Sequence, residues 1–86
     1  MEIFDRTRHD SDRFLHWRST YPESFVLNIR SKSCMLHRAS CGHFAFTDYE
    51  TILFAPKRVS FNKDELEEWV RAQRGTPYTV CRDCKP

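Results

Sequence analysis

Two short-spaced pairs of metal-type side chains constrain this chain more than anything else in it. His37 and Cys41 form a H-x-x-x-C pair near its middle, and Cys81 and Cys84 form a C-x-x-C pair far beyond. A two-residue gap lets one tight turn aim two thiolates at a point, and a three-residue gap lets the other pair converge from a turn or the first turn of a helix. Two such pairs, separated by a small domain's length of chain, suit a tetrahedral zinc ion. His37, Cys41, Cys81 and Cys84 are therefore read as a closed Cys₃His site for Zn²⁺. Four protein donors leave no position for water, so this zinc is expected to be structural. His43 is the alternative nitrogen donor, since Cys41-Gly42-His43 is also a short spacing.

Leu36-His37-Arg38-Ala39-Ser40-Cys41, followed past a helix by Cys81-Arg82-Asp83-Cys84-Lys85-Pro86, resembles the Ada-type zinc-binding domain of bacterial DNA-alkylation-repair regulators. That family's pattern is Cys-Arg-Pro-Ser-Cys, a helix, then Pro-Cys-Lys-Arg-Cys-x-Pro; related modules in some bacterial nucleases begin with His. The resemblance covers about residues 35–86. It implies a zinc module that touches the DNA backbone. It does not imply methyl-phosphotriester repair, because His37 stands where the family has its methyl-accepting Cys. The link from helix to C-x-x-C is also longer here than the family's short one.

At 86 residues the chain is expected to be a single zinc-binding domain over 1–86. A core of that size is modest, which makes a metal staple useful. Aromatic residues make up 14 % of the chain, so rings are expected to build much of that core. No apolar run approaches the roughly 18 residues of a membrane span. No charged-then-apolar leader is visible, and the cysteines suit metal in a reducing compartment, so a cytoplasmic location is expected. Cys34 lies three residues from His37 on a strand pattern, so alternation sends it to the opposite face. It is read as a small buried hydrophobe.

The chain order predicts an α+β fold: an antiparallel hairpin or a sheet of three to four short strands, one main amphipathic helix and a short N-terminal one. Residues 1–9 carry charge without pattern and are expected to form a mobile terminus, with Ile3 and Phe4 able to tuck in. A short helix is expected from Ser11 to about Ser19, capped by Asp10 or Ser11 and ended by Pro22. Phe25–Arg30 and Cys34–His37 alternate as a hairpin that delivers His37 at a strand end. Further strands are expected at Thr51–Phe54 and Lys57–Phe61, paired across Pro56. Helix 62–74 has the firmest signals. Asn62 is a good cap with Glu65 at the third position, Leu66, Trp69, Val70 and Gln73 form one stripe, and Gly75 and Pro77 end it.

No H-E-x-x-H, G-x-S-x-G or Walker A pattern is present, and a filled metal shell leaves no catalytic water, so an enzyme is not expected, nor a small-molecule substrate. A C-x-x-C redox pair belongs at the start of a helix, which is not its setting here. The formal charge of +2 does not by itself announce a nucleic-acid binder. Folding around one metal would nonetheless gather Arg30, Lys32 and Arg38 with Arg82 and Lys85, enough to touch several phosphates. DNA contact, accessory to a repair, restriction or regulatory activity, is the leading reading. The alternative is a protein-interaction module that uses exposed rings, with Trp17, Tyr21 and Phe44 as candidates.

Overall fold

The branched and aromatic side chains of residues 25–29 become the central strand of the sheet. The computed structural model describes residues 2–5, 7–30, 33–42, 56–73 and 78–86. In chain order these form β1 (Glu2–Phe4), α1 (Arg8–Thr20), β2 (Phe25–Ile29), β3 (Cys34–Arg38), β4 (Lys57–Ser60), α2 (Lys63–Ala72) and β5 (Tyr78–Val80). Among the described residues the strands make a five-stranded sheet in the order β1-β4-β2-β3-β5. β2 pairs antiparallel with β3, placing Val26 opposite His37 and Ile29 opposite Cys34. β4 flanks β2 antiparallel, β1 extends the sheet antiparallel beyond β4, and β5 runs parallel to β3. The fold is α+β.

Successive strand residues point to opposite faces, so Val26 and Leu27 belong to two different cores. On one face α1 covers Phe4, Val26 and Val59 with Phe14, and Leu15 and Trp17 close the margin. On the other, α2 brings Leu66 and Val70 against Leu27, Cys34 and Leu36, with Phe25, Ile29, Trp69 and Tyr78 around them. Each large apolar side chain fully buried in this way contributes about 1.5–3 kcal/mol. The Arg58 guanidinium sits 4.2 Å from the Trp69 ring centroid and shields the rim of the α2 core.

Both helices begin on a side-chain cap. Asn62 accepts the Asp64 N–H at 2.9 Å, and Gln73 caps the end of α2. Gly75 and Pro77 lie outside the described residues. α1 starts earlier than Asp10 or Ser11, because Thr7 is the cap and accepts the Asp10 N–H at 3.1 Å. Ser11 is instead inside the helix, its hydroxyl donating back to the Thr7 carbonyl. The Asp10 carboxylate accepts the Asp5 N–H and the Arg13 guanidinium, both at 2.8 Å. These two bonds hold its pKa below the usual carboxylate value.

Three further features differ from the sequence reading. Glu2–Phe4 is an edge strand rather than a loose tail, and Phe4 is buried against Phe14 with ring centroids 5.8 Å apart. The sheet has five strands rather than three or four, because both three-residue strands, β1 and β5, pair only with partners remote in sequence. β4 is present as expected, but its described neighbours are β1 and β2; residues 51–55 lie outside the described set.

One charge is folded into the α1 face. The Lys57 ammonium donates to Asn28 Oδ1 at 2.7 Å and lies 5.5 Å from the Phe14 centroid. Burial, helped by the neighbouring Arg30 charge, lowers its pKa to about 8. On the opposite face, burial and the Glu67 carboxylate that accepts its hydroxyl raise Tyr78 to about 12.

Candidate metal centre

β3 ends in His37 and Arg38, and the chain then turns sharply. The Cys41 N–H donates to the Arg38 carbonyl at 3.0 Å, while the Ala39 N–H donates to Ser24 O at 2.9 Å and ties the turn to the loop before β2. Arg18 on α1 reaches the Cys41 carbonyl at 3.5 Å. The second pair arrives on the parallel strand: the Cys81 N–H donates to Leu36 O at 2.9 Å, continuing the β3–β5 ladder by one step. That step places Cys81 beside His37. The Lys85 N–H then donates to the Cys81 carbonyl at 3.2 Å and closes the C-x-x-C turn. Lys85 takes a left-handed backbone with φ 46°, a conformation that costs a side-chain-bearing residue about 1–2 kcal/mol.

These turns bring His37, Cys41, Cys81 and Cys84 together so that one donor atom from each lies within 4.8 Å of every other. His37, Cys41 and Cys81 are buried and Cys84 is half-buried. The Cys41 and Cys81 sulfurs stand 3.9 Å apart, and two sulfurs on a tetrahedral ion with bonds near 2.3 Å would be separated by about 3.8 Å. The residues thus fit a metal ion with three thiolates and one imidazole. Such an ion would join the middle of the chain to residues 81–84 and seal the end of the α1 core, to which Cys41 and Cys81 already belong.

Arg38 does more at this site than offer positive charge. Its backbone N–H donates to the Cys84 sulfur at 3.2 Å, and its guanidinium donates through Nε to the Cys84 carbonyl at 2.9 Å and through Nη2 to the Lys85 carbonyl at 3.1 Å. One residue of the first turn therefore grips the second. Cys81 shows the electrostatic result. Burial opposes its ionisation, but hydrogen bonds from the Cys84 and Asp83 backbone and from the Cys84 and Cys41 side chains outweigh it, so its pKa falls below the ordinary thiol value. The thiolate is the form a metal binds.

The four sequence-assigned ligands are the four that meet, and the position of His43 lies outside the described residues. Cys34 is on the other face of the sheet, in the α2 core, where burial raises its pKa. The predicted cation cluster divides. Arg38, Arg82 and Lys85 belong to the metal corner, with Arg82 and Lys85 exposed. Arg30 sits at the opposite end of the β2–β3 hairpin, donating its N–H to Ser33 O, because β3 runs its full length between Cys34 and Arg38. Lys32 lies outside the described residues.

A groove of about 480 Å³ beside α1 is lined by residues including His9, Asp12, His16, Trp17 and Tyr21. No described helix is long and apolar enough to cross a membrane. The chain matches no known protein-family profile, no curated protein and no solved structure.

Proposed function

We propose that the chain is a small zinc-binding module whose metal is structural and whose metal corner contacts the phosphate backbone of DNA, as an accessory to a repair, restriction or regulatory activity. The observation that carries this reading is the convergence of three thiol side chains and one imidazole from two distant turns, with Arg82 and Lys85 exposed on one of those turns. Zinc is the ion that best suits three thiolates and a histidine in a closed tetrahedral shell. The Ada-type pattern of residues 35–86 supports the choice of DNA. Four protein donors would leave that ion no open position for substrate, which favours a binding module over an enzyme.

Arg38 is a poor probe of DNA contact because it also holds Cys84 and Lys85. Arg82→Ala and Lys85→Gly are better: both side chains are exposed, and glycine suits the left-handed backbone at 85. Each should weaken DNA binding uniformly across sequences and reduce the slope of log affinity against log salt by about one. Metal analysis should give one zinc per chain, unchanged in both variants. A salt-independent affinity, or full binding by the double variant, would overturn the phosphate reading.

A further inference from the structure

The end of the sheet that carries the metal corner also carries a cluster of rings. Ser60, Phe25 and Arg38 lie side by side across β4, β2 and β3. Phe61 follows the first, the loop from Tyr21 to Ser24 leads into the second, and the third grips Cys84 and Lys85. Two strand spacings, about 10 Å, separate the Phe61 side from the Arg38 side. Phe61 is 55 % exposed and Tyr21 37 %. Their ring centroids are 5.0 Å apart, and each lies against Trp17, at 5.3 and 4.7 Å.

This cluster is held in place rather than loosely exposed. The Trp17 indole N–H donates to Ser24 Oγ at 2.9 Å, and that hydroxyl donates to Tyr21 O at 2.7 Å. The Ser24 carbonyl accepts the Ala39 N–H of the metal turn at 2.9 Å. A continuous set of hydrogen bonds thus links the rings to the residues that present His37 and Cys41. Large rings fixed at a surface beside exposed cations are the combination that binds unpaired bases, because every base offers a π-face for stacking while cations follow its phosphate.

We infer that this end of the sheet binds single-stranded nucleic acid, with unpaired bases stacking on Tyr21 and Phe61 and the adjoining phosphates meeting Arg82 and Lys85. The inference deepens the DNA-contact reading and rests on it. The modest charge agrees with this choice. Glu23 and Asp83 are exposed at the same end, so phosphate attraction alone is weak and stacking must supply the preference. In a duplex both faces of each base are already covered by neighbours, and the rings have nothing to stack on.

The test uses the metal-loaded chain carrying Trp69→Phe, which leaves Trp17 as the fluorescent reporter inside the cluster. Short oligothymidylate should quench Trp17 saturably and bind more tightly than the same strand annealed to its complement. Phe61→Ala should weaken the single-strand complex about tenfold. Phe61→Leu, which keeps apolar bulk but no π-face, should weaken it similarly, whereas Phe61→Trp should retain it. Unchanged metal content and melting in these variants keep the result independent of folding. Equal affinity for duplex and single strand, with Phe61→Leu silent, would overturn stacking and leave the phosphate reading standing. Failure of both nucleic acids to bind would overturn both readings and leave the rings as a surface for a protein partner.

Discussion

On the α2 face of the sheet, Leu27, Leu36, Leu66 and Val70 meet as hydrocarbon, whereas on the α1 face Phe14 and Val26 share their core with Cys41, Cys81 and a buried lysine. The first arrangement needs nothing beyond its own side chains. The second also holds a buried ammonium and two of the four candidate metal donors, so an ion bound there would supply its closure. With an ion bound, an 86-residue chain would divide its stability between two devices, one apolar and one coordinative, on either side of a single sheet.

The sharpest way to break this comparison is to remove the cross-link. Binding of a structural zinc is linked to folding by roughly 10–16 kcal/mol, comparable with the whole stability of a small domain at about 5–15 kcal/mol. Chelation, or Cys81→Ser, is therefore expected to unfold the chain, read as loss of near-ultraviolet and far-ultraviolet circular dichroism together. A metal-free protein with unchanged melting would show that the α1 face is self-sufficient after all.

A middle-sized effect is expected on the other face. Leu66→Ala should cost about 2–5 kcal/mol in denaturant unfolding while leaving metal stoichiometry untouched, because Leu66 is fully buried against the sheet yet absent from the metal cluster. Loss of metal in this variant would mean that the two cores fold as one inseparable unit.

Alkaline titration should give the smallest effect and separate the faces by sign. Lys57 has a folded pKa near 8, below its ordinary 10.5, so between those values the unfolded chain holds a proton that the folded one lacks. Stability should rise with pH across that window. Tyr78 has a folded pKa near 12, above its ordinary 10.0, so between 10 and 12 the folded chain keeps a proton that the unfolded one loses, and stability should fall. Lys57→Met should abolish the rise and Tyr78→Phe the fall. Denaturation midpoints measured over this range check both.

The metal set was legible because its evidence is local: two gaps of fixed length and a strand alternation that excludes Cys34. Helix α2 was legible for the same reason, through Asn62 and the Leu66, Trp69, Val70 stripe. What was missed depends on partners remote in sequence. Nothing within Glu2-Ile3-Phe4 announces pairing with Lys57–Val59, and Tyr78–Val80 reads as an extended lead-in until β3 is beside it. Arg30 groups with Arg38 on sequence proximity alone, which ignores that strand β3 runs its full length between them. The role of Arg38 as a clamp was hidden too, since its acceptors are carbonyls, which every residue has. The ring cluster was half visible: Trp17 and Tyr21 were candidates, but Phe61 joins them, and Phe44 lies outside the described residues.

The parallel pairing of β3 with β5 joins two stretches of chain that leave the ribosome at different times. A ribosome releases His37 and Cys41 well before Cys81 and Cys84 emerge, so an ion at this site would have only half of its donors until the later pair arrives. Until then any competing thiol or loose ion has access to the early pair. Arrival of the Cys81–Cys84 turn beside β3 would then close that interval.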